Sequence, residues 1–166
     1  MKKIILLALA CIMFSGCGPR GFSVRYKGKD ISFEKKAGLA SFRPDLGEGQ
    51  VVLASYDPEY RDKSVMTIPD PDKPGQILIG FHFKKNTEDF KDPIKPGDFS
   101  DKIKYVWIAN GETKDRVTFS ENGSAITGKL VVNEVSEDLI KGVIEVVKND
   151  TTIAGTFEAK ILSKHL

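Results

Sequence analysis

Cysteine is nearly missing from this chain: its 166 residues contain two, Cys11 and Cys17, both within the first seventeen positions. Everything beyond Cys17 therefore lacks a disulfide framework, a thiolate metal site and a cysteine nucleophile. Such a domain must stand on its hydrophobic core. About 145 residues suffice for one, since chains near this size bury about 70% of their surface. A surplus of one charge is missing too. Lys2 and Lys3 account for the whole difference between 25 basic and 23 acidic side chains, and no acid precedes Cys17. The remainder is neutral, which removes the electrostatic case for nucleic acid or for an anionic lipid surface. Lys84, Lys85, Lys91 and Lys95 are interleaved with Glu88, Asp89 and Asp92, the pattern of a solvated loop.

Catalytic vocabulary is thin as well. Only His82 and His165 could serve as histidine bases, and no G-x-S-x-G, H-E-x-x-H or P-loop occurs. Asp57-Pro58-Glu59, Asp70-Pro71-Asp72 and the pair Asp98 and Asp101 are short acidic clusters on expected loops. None has EF-hand spacing, and calcium takes about six to eight oxygen ligands. One Trp and four Tyr offer few platforms for the sugar cleft that a pair of glycosidase carboxylates needs. These acids read as solvated turn residues, and no metal or cofactor is implied.

Beyond residue 17 no long apolar repeat of period 3.6 appears, whereas period-two alternation recurs. In Gln76–Phe83 the residues Ile77, Ile79, Phe81 and Phe83 fall on one face, with Gln76, Gly80 and His82 on the other. Ile103, Tyr105, Trp107 and Ala109 alternate in the same way. Earlier strands are expected at Phe22–Tyr26, Ile31–Glu34, Leu39–Phe42 and Val51–Tyr56, with Gly28-Lys29 turning the chain between the first two. Prolines 58, 69, 71, 74, 93 and 96 interrupt the middle, so Ile68–Gly75 cannot be a central strand and Asn86–Ser100 is a second long connection.

Two hairpins are expected near the C-terminus. Asn122-Gly123 is a two-residue turn that sets Phe119 opposite Ile126 and Val117 opposite Gly128. Asn149-Asp150 sets Val146 opposite Ile153, Ile144 opposite Gly155 and Gly142 opposite Phe157. Keeping one face inward between the two hairpins calls for a bulge around Val135–Asp138. Ile126–Leu130, Ile140–Ile144 and Ile153–Phe157 each place a glycine on the inward face between two large apolar residues. Sheet curvature, with Phe157 lying over Gly142, is one reading of these glycines. Space cleared for a ligand inside a barrel is the other. The fold expected is a single all-β domain of about eight to ten mainly antiparallel strands, a sandwich or an up-and-down barrel ending in a C-terminal meander.

The N-terminus has a different character. Met1-Lys2-Lys3, an apolar run from Ile4 to Phe14 and the small pair Ser15-Gly16 lead to Cys17. This is the layout of an export signal, and its 11 apolar residues fall short of the about 20 that span a bilayer. The stretch Phe14-Ser15-Gly16-Cys17 resembles the lipobox of bacterial lipoprotein precursors, with Phe14 standing where that family favours leucine. The resemblance covers this N-terminus alone. It implies that the Cys17 thiol receives a diacylglyceryl group, that the chain is cut before Cys17, and that the new amine is acylated. Cys11 is the poorer acceptor, because Ala8-Leu9-Ala10 leaves a stunted apolar region before it. Gly18 is not the aspartate of an inner-membrane retention signal, so in a source with two membranes the outer one is favoured.

These readings divide the chain into a signal peptide (1–16), a lipidated Cys17 with its tether (17–21) and a β domain (22–166). Gly18-Pro19-Arg20-Gly21 spans at most about 14 Å, which keeps the domain close to its membrane. A non-enzymatic envelope lipoprotein that binds something or supports an assembly is the leading expectation, with the membrane as partner through the acyl chains on Cys17. A lipocalin-like carrier of a small apolar ligand is the first alternative, and a hydrolase using loop carboxylates or His82 the second. Trp107 and Tyr105 are the candidate anchors for a ligand, should their face point into a barrel mouth or lie exposed.

Overall fold

A computed structural model describes residues 21–43, 46–58, 68–85, 93–120 and 126–162. The export segment with Cys11 and Cys17 lies outside the described residues, as do Glu59, Lys91, Glu88, Asp89, Asp92, Asn122-Gly123 and His165. No described helix is long and apolar enough to cross a membrane. The fold is all-β.

The described residues contain eleven strands, most of them where the sequence alternates: β1 (Phe22–Tyr26), β2 (Lys29–Phe33), β3 (Ala37–Arg43), β4 (Glu48–Ala54), β5 (Ile77–Lys84), β6 (Gly97–Asp98), β7 (Ile103–Asn110), β8 (Asp115–Ser120), β9 (Thr127–Val135), β10 (Leu139–Lys148) and β11 (Thr151–Ile161). They form one curled sheet in the order β6-β9-β10-β11-β3-β4-β5-β7-β8, with β1 pairing both β11 and β2. Every pairing is antiparallel except β11 with β3, which is parallel through Lys160–Leu39 and Ile161–Ala40. β11 is long enough to serve two neighbours on one edge. β1 pairs along Thr152–Ala154 and β3 takes over at Lys160.

The inner faces meet in one core. Ile77, Ile79, Phe81 and Phe83 of β5 face Val51 and Leu53 of β4, Val106 and Ile108 of β7, and Ile140, Ile144 and Val146 of β10. Phe81 stands edge-on to Phe157 at 5.0 Å, and Phe83 to Phe99 at 5.0 Å. Each buried phenylalanine contributes about 1.5–3 kcal/mol of transfer free energy. The Pro-rich connection takes part: Ile94 and Phe99 are buried, and Phe99 N–H donates to the Leu130 carbonyl.

The Asn149-Asp150 hairpin has the expected register, pairing Val146 with Ile153, Ile144 with Gly155 and Gly142 with Phe157. Asn149 adopts the positive φ (53°) that this turn requires. A Cβ on Gly142 would lie 2.6 Å from the Phe157 ring, so the aromatic does lie over the glycine. The first turn falls one residue early, at Lys27-Gly28, with φ of 50° and 78°. The bulge between β9 and β10 is a step upstream of the connection, where Asn133 is the extra residue opposite Lys141/Gly142.

Two expectations are corrected. Val117 does not pair with Gly128. Among the described residues β8 pairs with β7 alone, and the edge of β9 that the hairpin needs is occupied at Leu130–Val132 by Gly97–Ser100. Lys148 reaches the outer edge of β8 instead, donating to the Thr118 carbonyl and lying over the Phe119 ring. Ile103 does not share a face with Tyr105 and Trp107. Lys104 is a bulge between the pairs His82–Tyr105 and Phe83–Ile103, which turns Ile103 into the core. Side chains also tie the start of β8 to the end of β1, where Asp115 accepts from Tyr26 Oη at 2.5 Å and also from Lys27 and Thr113. Those donors hold the Asp115 carboxyl well below the ordinary carboxylate range.

Candidate functional site: the outer face of β3–β4–β5–β7

Most strands of this sheet present polar residues outward. β3, β4, β5 and β7 do so at only one end of their outer face. Their outer face carries three cross-strand rows, set by the ladder registers. Ala37, Ala54, Leu78 and Ala109 lead to Arg116 in the first. Leu39, Val52, Gly80 and Trp107 make the second. Ser41, Gln50, His82 and Tyr105 make the third. Ala54, Leu78, Ala109, Trp107 and Ile68 form a second buried cluster, separate from the main core.

Trp107 organises this face. Its indole lies against Gly80, where a Cβ would be 2.2–2.5 Å from ring atoms, so only glycine leaves room. The Arg116 guanidinium sits 4.4 Å from the ring centroid, a cation–π stack, and donates to Asp70 at 2.5 Å. The segment from Ile68 to Gln76 is thereby pinned over the sheet. Gln76 Oε1 accepts from the amides of Asp72 and Lys73, and Tyr56 Oη donates to the Pro69 carbonyl. Burial, then the charges of Asp70 and Asp72, pushes the Tyr56 phenol above its ordinary pKa. Between this segment and β3–β4 lies a cavity of about 350 Å³, lined by Leu39, Gln50, Val52, Ile68, Trp107 and Arg116, among others. That volume is at the small end of ligand pockets, and its mix of apolar floor and polar rim is their usual chemistry.

The expected anchors therefore separate. Trp107 is 8% exposed and borders the cavity. Tyr105 is one row away, stacked on His82 with centroids 4.0 Å apart. Burial, opposed by nearby Glu48, brings the His82 imidazole down to a pKa of about 4, so it is neutral at neutral pH. Glu48 is itself ion-paired with Lys104. Gln50 and Tyr105 are the direct cross-strand neighbours of His82, and Ser41 stands one strand further along the row, beyond Gln50. Two of the loop acids have structural partners: Asp70 holds Arg116, and Asp98 accepts from the amide and hydroxyl of Ser100. Among the described residues no group of three His, Cys, Asp or Glu could hold a metal.

No sequence pattern marks Arg116, while Asp70 reads only as part of an acidic turn cluster and Leu39 only as the start of a strand. The available signal was two-sided burial, visible in the runs Val51-Val52-Leu53-Ala54 and Ile77-Leu78-Ile79, where apolar residues also occupy the outward positions. No family model, curated protein or solved structure matches this chain.

Proposed function

We propose that this chain is a membrane-anchored envelope lipoprotein whose β domain acts by binding rather than by catalysis. The observation that carries the reading is the segment Met1–Cys17, with its two lysines, short apolar run and lipobox-like Phe14-Ser15-Gly16-Cys17, set four residues before β1 begins at Phe22. Two or more acyl chains hold a protein stably on a bilayer, and the short tether keeps the domain beside it.

The geometry of the domain favours binding at its outside. Phe81, Phe83, Phe99 and Phe119 fill the interior, and Phe157 covers Gly142. That filling weighs against a small apolar ligand carried inside. His82 is stacked on Tyr105 and neutral, with Gln50 rather than a serine as its neighbour on β4, which weighs against hydrolysis. The Trp107 cavity on β3–β4–β5–β7, with an apolar floor and the polar Gln50, Asp70 and Arg116 at its rim, offers a contact surface for an envelope partner. Membrane fractionation of the full chain and of Cys17→Ala tests the anchor. The full chain sediments with membranes and Cys17→Ala becomes soluble; a Cys17→Ala protein that still partitions with membranes contradicts the reading.

A further inference from the structure

A second and larger recess opens where the chain enters the domain. β1 pairs with β11 only as far as Ala154, and β3 joins β11 only at Lys160. The ladders leave Gly155–Ala159 between them, and at this gap β11 crosses close to the start of β1, with Phe22 Cα 2.9 Å from a Cβ position on Gly155. A groove of about 750 Å³ results. Its lining includes Phe22, Phe33 and Phe157, with Gly142 adding no side chain, and its rim carries Lys35 and Lys141. The phenylalanines are ordered independently of any guest: Phe22 and Phe33 meet at 5.5 Å, and Phe157 abuts Phe81. Polar groups at the rim already have partners. Lys35 donates to the Glu158 carbonyl, and Lys141 pairs with Glu134 at 3.2 Å. An aromatic floor with a satisfied polar rim suits a hydrocarbon chain that enters from one end.

Gly21 itself lines this groove. Cys17 is four residues upstream, so whatever Cys17 carries is within about 14 Å of the groove mouth. We propose that the groove holds one of the acyl chains attached to Cys17. This rests on the lipoprotein reading above. A cysteine bearing a diacylglyceryl group and an acylated amine has three chains, and two are enough for a stable anchor. The third is free to leave the bilayer for the groove, which docks the domain against its own anchor instead of leaving it on a swivel.

The experiment feeds cells expressing the full chain a fatty acid that bears a diazirine and an alkyne, then irradiates the membranes and maps cross-linked peptides. The expected product joins the Cys17 acyl group to peptides holding Phe22, Phe33 or Phe157. Asn133→Trp, placed at an exposed bulge position on the groove wall, abolishes those cross-links while the label on Cys17 is retained. A labelled Cys17 whose cross-links go only to bilayer lipid overturns the proposal. So does a groove cross-linked to a free lipid rather than to the Cys17 peptide, or a pattern that Asn133→Trp leaves unchanged. Absence of label on Cys17 overturns the anchor reading itself, which separates the two failures.

Discussion

The hairpin β10–β11 and the pair β5–β7 are both antiparallel and both central to the sheet, yet they are built differently. β10 alternates strictly, with Ile140, Gly142, Ile144 and Val146 inward and its other positions at least partly in solvent. β5 is buried at six of its first seven positions, and β7 at its last five. The first kind of strand needs one hydrophobic layer, and the second needs two. The outer layer on β5–β7 comes from the pinned segment Ile68–Gln76 and from Trp107 lying over Gly80. The lesson is that a strand with one buried face leaves its outer side to solvent, while a strand buried on both faces supports a second layer with a cavity in it.

Removing a side chain from the shared core should cost most. Phe81→Ala loses the contacts with Phe157 and Phe83, and should lower stability in urea by about 3–5 kcal/mol. Both halves should unfold together, and a separate early transition of either half would break the single-core description. Next comes Gly80→Ala, which drives a methyl into the Trp107 ring. It should cost about 1–3 kcal/mol and shift the emission of the sole tryptophan to the red. Unchanged emission would mean that the outer layer is not organised around that contact.

Much of the first half is legible in the sequence. Asn149-Asp150 and the alternation around it set the β10–β11 register, and the Gly142–Phe157 pairing followed. The same reasoning misplaced the partner of β8. Asn122-Gly123 is an attractive local turn, but the edge of β9 goes to Gly97–Ser100, a segment whose two-residue strand carries no alternation to read. Ile103 was assigned to the wrong face because a bulge at Lys104 shifts the phase without leaving a glycine or proline to mark it. The parallel join of β11 with β3 links segments more than a hundred residues apart, beyond the reach of turn chemistry. At the candidate site Trp107 stood out by its size and rarity. The pairing of Arg116 with Asp70 did not, since it brings a loop onto a strand only in space.

A smaller effect concerns pH. His82 has a pKa near 4 in the folded chain against an ordinary value of 6.5, so the unfolded state takes up its proton first on acidification. The stability from its neutral form is full above about pH 6.5 and is lost as pH falls toward 4. An NMR titration should place the His82 midpoint near 4, and a midpoint near 6.5 would mean the stack on Tyr105 does not bury it. The smallest change is expected from Arg116→Ala. Its ion pair with Asp70 is largely exposed, so the loss in stability stays below about 1 kcal/mol. Acrylamide quenching of Trp107 should nonetheless rise as the guanidinium cover is removed, which would set the outer surface apart from the core below it.

Whether that surface and the groove at Gly21 work beside a membrane depends on Cys17. Mass spectrometry of the N-terminal peptide of the mature protein tests this most directly. The account predicts a chain that starts at Cys17 and carries a thioether-linked diacylglyceryl group with an acylated amine. A mature chain with an unmodified Cys17, or one cut elsewhere, would contradict it.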